Sequence, residues 1–375
     1  MKRHTLLYGF SIFSMFFGSG NLVFPLMVGV ENTDNWVAGF LGFFCTGIIL
    51  PFLGLFVIKL HRGSYTSFFA EAGSIAKFAV PLFTLSLLGA FGVIPRCIAV
   101  AHGGLEFLFS DISLLSFSAV FCISCYLICL NDKWMFTMLG KFLTPILLIF
   151  LLILVSIGVY NAQQISINNS EFDTNFLDGF FRGYATMDLF AAFFFSSLIF
   201  KQIEAITDEN SGQSVLKAAI GPSIFGSSLL GIVYLGFVFL GSHYSFLAKD
   251  LPGELILPAI ANHLLGSNGA LFIAIIIIFS CLTTAVALNS IYARYLCSFN
   301  IIGEQKFPLI LLATTILSFA ISLLDFDRIV AILGPLLNIS YPSLIVLTIL
   351  SIITKRFKTL KMISFYGIIV LILVL

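Results

Sequence analysis

The stretch Phe16-Phe17-Gly18-Ser19-Gly20-Asn21 lies in the middle of an apolar run, Thr5 to Val28, that is long enough to cross a bilayer as a helix. Two glycines, a serine and an asparagine at its centre, with Pro25 following, make this a helix that breaks at mid-depth. Backbone that leaves helical geometry inside a bilayer survives only where it is buried in protein or lines a cavity, because lipid offers no partner to the freed N–H and C=O groups. Freed carbonyls coordinate cations, and a restarted half-helix turns its positive dipole end towards an anion. The stretch reads as a binding site.

The rest of the chain agrees with a membrane setting. Of its 375 residues 59% are hydrophobic and 10% charged, whereas a soluble domain is about 25% charged. At roughly 20 residues per span the length holds about eleven helices and no separate soluble domain. The fold class is an all-α polytopic membrane protein. Spans are predicted over 5–28, 36–58, 78–105, 112–130, 136–159, 178–200, 216–241, 268–293, 307–324, 329–353 and 362–375. The last is about 21 Å of helix, short of a hydrocarbon core of about 30 Å, so the chain either ends inside the bilayer or is a shortened version of a longer protein. Lys2 and Arg3 precede the first run as they would in a signal peptide, but the run is too long, lacks an Ala-x-Ala pattern and is followed by further spans.

Sorting the charges orients the chain. With a cytoplasmic N-terminus, the inner loops collect Lys2, Arg3, Lys59, Arg62, Lys77, Lys133, Lys141, Lys201, Lys217, Arg294, Lys306, Lys355, Arg356, Lys358 and Lys361, which is 15 of the 19 basic residues. The outer side keeps Arg182, Lys249 and Arg328, and Arg96 falls within a span. This is the positive-inside pattern. A net charge of +1 without a basic domain speaks against nucleic acid. Cys122 and Cys125 form a C-x-x-C with no second pair, so small apolar filler is the better account of the cysteines.

Spans one to five and six to ten have the spacing of an internal repeat; five is odd, so the second set runs with opposite topology. The sixth span carries Gly183-Tyr184-Ala185-Thr186-Met187-Asp188 near its centre, a second interrupted helix in the corresponding place. The domain reading is a single transmembrane core, 1–353, with repeats over 5–159 and 178–353, then a basic loop and short hydrophobic helix over 354–375. Asp188 is the carboxylate at mid-membrane, a position that calls for a coupling ion, a proton, a substrate ammonium or a structural partner. Thr186 beside it has a hydroxyl suited to a hard cation or to its own helix. Arg96 is open between pairing with Asp188, gating the outer vestibule, holding a substrate carboxylate and snorkelling outward. In the eighth span Ser280, Thr283 and Thr284 share one face and offer hydroxyls to a dehydrated cation, or ease helix packing; Asn289 follows them. His102 reads as a core histidine, and the sequons at Asn168 and Asn338 carry little meaning in a chain with no sign of secretion. Pro335 and Pro342 predict kinks in the tenth span. Motifs of nucleotide motors, metalloproteases and serine hydrolases are missing, so no enzyme is indicated.

Phe17-Gly18-Ser19-Gly20-Asn21-Leu22-Val23-Phe24-Pro25, together with Gly183-Tyr184-Ala185-Thr186-Met187-Asp188-Leu189 and Ala191-Ala192, resembles the first- and sixth-helix motifs of the branched-chain amino acid:cation symporters, the BrnQ-type family. The resemblance implies a LeuT-type fold with a five-plus-five inverted repeat and import of leucine, isoleucine and valine with sodium across the cytoplasmic membrane. It implies that Gly18, Ser19, Gly20 and Asn21 hold the substrate carboxylate and that carbonyls of the broken helices meet its amino group with Asp188 nearby, Thr186 counting among the substrate-binding residues. It also implies that Asn21 ligates one sodium, and that a second lies between Ser14, Phe17 and the Ser280, Thr283, Thr284 face. The expected partners are an amino acid and the lipid bilayer, with sodium as coupling ion, no organic cofactor and no obligate protein partner. Two departures stand out: the family runs to twelve helices, and Ser196 and Ser197 stand where a glycine is expected in the sixth helix. Competing readings are a proton-coupled carrier in which Asp188 titrates, and a membrane-embedded enzyme or assembly factor without transport.

Overall fold

A computed structural model describes residues 3–131, 143–163, 172–206, 215–248, 250–299, 303–354 and 356–374. The beginning of the predicted fifth span (136–142), the sequon at Asn168, and the basic residues Lys2, Lys133, Lys141, Lys249 and Lys355 lie outside these.

Regular structure among the described residues is helical. The first apolar run is two helices, α1 (Arg3–Phe16) and α2 (Ser19–Glu31), bent by 70° across Phe17 and Gly18. The second span is α3 (Trp36–Phe44), a single π turn at Cys45–Ile49, and α4 (Leu50–Leu60). The short α5 (Tyr65–Phe69) starts where the Ser64 hydroxyl accepts the Ser67 N–H, which satisfies one orphan donor of its first turn. Helices α6 (Ala76–Leu88) and α7 (Val93–Glu106) divide the third span at Gly89–Gly92. Then come α8 (Leu114–Cys129), α9 (Leu143–Tyr160) and the second bent pair, α10 (Phe172–Tyr184) and α11 (Asp188–Ile206), at 44°. They are followed by α12 (Val215–His243), α13 (Gly253–Cys297), α14 (Phe307–Ser322), α15 (Phe326–Ile353) and α16 (Lys358–Val374).

By length and apolarity five helices among the described residues can cross a bilayer, up to seven if each bent pair counts as one, and Leu114–Cys129, Pro145–Tyr160 and Phe307–Ser322 are shorter apolar helices. Several boundaries differ from the sequence reading, the sixth span among them, which runs from Phe172 to Ile206 rather than over 178–200. The eighth span is preceded by a helical segment from Gly253, set off at Gly266, whose φ of 71° is left-handed and suits glycine. Both prolines of the tenth span lie inside α15, which begins at Phe326. The final helix starts at Lys358 rather than 362 and has 17 residues, about 26 Å at 1.5 Å each, because Lys358 and Lys361 are helix formers that a hydropathy argument leaves out.

Helices approach closely where glycines face each other. A Cβ on Gly29 of α2 would fall 2.1 Å from the Val238 carbonyl oxygen of α12, and one on Gly179 of α10 would fall 1.9 Å from the Gly39 oxygen of α3. Association inside lipid gains nothing from apolar burial and relies on backbone proximity of this kind. These contacts seat α12 against α2 and α10 against α3, which holds both breaks near the middle of the bundle.

Candidate functional site

The two breaks abut. A Cβ on Gly20 would lie 3.2 Å from Thr186 Cα, so the restarted α2 touches the unwound segment between α10 and α11. Helix α1 makes its last turn bond from Phe17 N to Phe13 O at 2.9 Å. Gly18 then turns extended, and α2 begins at Ser19. The irregular backbone is therefore Phe17 and Gly18, while Ser19, Gly20 and Asn21 form the first turn of the new helix. Asn21 caps that turn itself, its Oδ1 accepting the Gly18 N–H at 3.0 Å.

Break two spans Ala185 to Met187. Met187 has φ of 60°, a left-handed conformation that costs a residue with a Cβ about 1–3 kcal/mol. The Thr186 hydroxyl donates to Gly183 O at 2.9 Å and accepts the Asp188 N–H at 3.3 Å. Both bonds stay within its own segment, closing one half-helix and opening the next, so the hydroxyl acts as a cap.

Asp188, 3% exposed, is the hub of a small polar network. Asn21 Nδ2 donates to its Oδ2 at 2.7 Å, the Tyr234 hydroxyl of α12 donates to the same oxygen at 3.2 Å, and Asn21 Nδ2 also contacts the Tyr234 oxygen. A carboxylate at this depth is stabilised by such donors, each worth more than a neutral bond because the acceptor is charged.

Arg96 does not snorkel. It is 1% exposed, its Nη1 donates to the Ala185 carbonyl at 2.6 Å, and its guanidinium carbon lies 5.4 Å from the Phe24 ring centre. It thus joins α7 to both interrupted pairs. Among the described residues it forms no ion pair within 4 Å, with Asp188 or any other acid.

The second cluster sits where α1 ends. The Phe17 carbonyl, freed by the break, accepts from the Ser280 hydroxyl at 2.8 Å and from the Thr284 hydroxyl at 3.4 Å. Thr283, one residue away, turns back on its own helix and donates to Ser280 O at 2.9 Å. Gly18 permits the approach, since a Cβ there would lie 2.8 Å from Thr284 Cγ2. Ser14, 9% exposed, is one turn back on α1. An orphan carbonyl at the negative end of a helix with two hydroxyls against it offers oxygens of the kind a hard cation takes as ligands. A cavity of about 280 Å³ lined by Phe13, Ser14, Phe17, Phe150, Ser280 and Thr283 adjoins it, between α1, α9 and α13.

A family model described as branched-chain amino acid transport protein matches residues 1–375. The chain belongs to that family. A Staphylococcus saprophyticus protein named as a branched-chain amino acid carrier is 28% identical over 389 residues, covering 97% of this chain and 85% of its own; one from Staphylococcus aureus (strain bovine RF122) is 27% identical over 387 residues, covering 96% and 84%. Among solved structures, a sodium-coupled sialic acid symporter in an outward-open state matches with a TM-score of 0.64 at 13% identity, over 98% of this chain and 88% of its own. MhsT in complex with L-phenylalanine matches at 0.58 and 15% over 98% and 97%, and inward-facing Mhp1 at 0.60 and 15% over 91% and 75%. These are LeuT-type transporters, and the branched-chain family member described here shares their fold; family and fold are those of transporters, not enzymes.

Within this family member the residues singled out from sequence divide into two clusters, Asn21 with Asp188 and Phe17 with Ser280 and Thr284, with Gly18 at the join. Tyr234 escaped the sequence reading because one tyrosine in an apolar span looks like any interior aromatic. Asn289 belongs to neither cluster: it donates to Thr315 at 2.8 Å and accepts from Thr314 at 2.7 Å, clamping α13 to α14. His102 is a satisfied core residue, with Nε2 2.8 Å from Ile112 O and Nδ1 3.3 Å from Glu106. Lys59, sorted by sequence to a loop, is buried in α4 and donates to Ala219 O at 3.1 Å and to the Ser223 hydroxyl of α12.

Proposed function

We propose that this protein is a secondary active symporter that brings leucine, isoleucine or valine across the cytoplasmic membrane together with sodium, its N-terminus cytoplasmic. The observation that carries the reading is the Phe17 carbonyl, freed at the break in α1 and faced by the Ser280 and Thr284 hydroxyls of α13. A sodium ion there would replace two hydrogen bonds with direct coordination, drawing oxygens of α1 and α13 around one charge. That fixes the end of α1, and with it the first turn of α2 where Asn21 meets Asp188. The substrate site is completed only once the ion is in place, so ion and amino acid each raise the other's affinity by the same factor.

Rocking of one helix set against the other then exposes the loaded site to the opposite side. We read 5–159 and 178–353 as the two inverted sets, each opening with an interrupted helix. Inward movement of one sodium is worth about 2.3 kcal/mol per 100 mV of membrane potential, before any concentration term.

The test is uptake of labelled leucine into proteoliposomes under an inward sodium gradient, compared with potassium and with a proton gradient. Sodium-driven uptake that Thr284→Ala shifts to higher sodium concentration supports the symporter and its cation site together. A second reading rests on Asp188, a buried carboxylate with two side-chain donors: a proton in place of sodium. Uptake driven by a pH gradient in sodium-free buffer, insensitive to Thr284→Ala, would establish that alternative and dismiss sodium.

A further inference from the structure

Arg96 lacks what a buried guanidinium ordinarily has. Its Nε and Nη2 are buried without a hydrogen-bond partner, while Nη1 alone is bonded, to Ala185 O. A buried charge without partners is strongly unfavourable, and it is retained where something supplies them. Nε and the second terminal nitrogen of a guanidinium lie along one edge as a planar fork, the geometry that takes a carboxylate in two parallel bonds. The location fits. Arg96 reaches from α7 to the carbonyl three residues ahead of Asp188, with its guanidinium near Phe24 of α2.

The alternative anion donor nearby is partly used. At the N-terminus of α2, where the resemblance places the carboxylate, the Gly18 N–H is already given to the Asn21 side chain. Two buried groups of opposite sign thus flank the second break: Asp188, held by Asn21 and Tyr234, and Arg96, held at one nitrogen only. A zwitterionic α-amino acid carries both complementary charges on one carbon.

Resting on the amino acid reading above, we propose that the Nε/Nη2 edge of Arg96 binds the substrate's α-carboxylate, with the ammonium on the Asp188 side, so that Arg96 is the residue that selects free amino acids over their carboxylate-free analogues.

The experiment compares L-leucine with L-leucinamide and 3-methylbutylamine, which keep the side chain and the amine, as inhibitors of labelled-leucine binding to purified wild-type, Arg96→Gln and Arg96→Lys protein. Arg96→Gln should weaken leucine by roughly 10- to 150-fold, the worth of a charged hydrogen-bonded contact, and change the two analogues by less than about threefold, since neither presents the charge that Arg96 pairs with. The preference for leucine should collapse in Arg96→Gln and survive in part in Arg96→Lys, which keeps the charge and loses the fork. Equal weakening of all three compounds, or an undiminished preference for leucine, overturns the assignment while leaving the transporter reading intact. If Arg96→Gln elutes aggregated, the same comparison in Arg96→Lys decides: an unchanged preference overturns the proposal. Wild-type protein that binds and transports no amino acid defeats this inference and the symporter reading alike.

Discussion

Asn21 holds the most with the least. Its carbonyl accepts the Gly18 N–H, and its amide nitrogen contacts both Asp188 and Tyr234. Asn21→Ala leaves a buried N–H and a buried carboxylate short of a donor, each costing about 1–3 kcal/mol. We expect a lower melting temperature in detergent and loss of leucine uptake. Tyr234→Phe removes one donor to Asp188 and keeps the ring, so a smaller loss is expected in the same two assays. The threonine pair separates by direction: Thr284 faces Phe17 O, whereas Thr283 is bonded to its own helix. Thr284→Ala should raise the sodium concentration for half-maximal uptake by about tenfold or more, the worth of roughly 1.4 kcal/mol, and Thr283→Ala by clearly less; equal effects would refute the division. Sequence spacing put Ser280, Thr283 and Thr284 on one face, but which hydroxyl turns outward is a rotamer choice that a partner helix decides.

At the scale of elements, each interrupted helix is a separate solution to the same requirement. The first breaks through glycine: Gly18 allows the chain to pass within contact of Thr284, so Gly18→Ala should displace α1 from α13 and reduce sodium-stimulated uptake while the protein still folds, checked by size-exclusion profile and sodium-dependent thermal shift. The second breaks without glycine at the turning point, placing Met187 left-handed and using Thr186 as the cap. Met187→Gly relieves that strain but deletes a fully buried side chain, and core truncation of about 2–5 kcal/mol exceeds the strain returned, so the melting temperature should fall. Both breaks were legible in the sequence as clusters of polar and small residues inside apolar runs. Their extents were not, because Ser19, Gly20 and Asn21 read as breakers yet form a helical turn once Asn21 supplies its own cap.

Across the whole molecule, polar side chains tie distant segments together. Lys361 of α16, 1% exposed, pairs with Glu71 at 2.5 Å, and Ser351 of α15 donates to the same carboxylate oxygen at 2.5 Å. Lys361→Met should destabilise by about 1–3 kcal/mol, less than a fully buried pair because Glu71 is 20% exposed. Adding Glu71→Gln should recover part of that loss, and a thermal-melt double-mutant cycle without coupling would exclude the latch. Composition and run length determined that the chain is a helical membrane protein, because a lipid solvent imposes the same length and polarity on every span, and polar clusters inside two of the apolar runs marked the interrupted helices. Tertiary structure decided which polar residues meet: Tyr234 with Asp188, Arg96 with Ala185, Thr284 with Phe17, Asn289 with the threonines of α14. Those pairings join residues from 25 to 267 positions apart in sequence. No local propensity encodes them; they follow from how glycine-lined faces let the helices close on one another.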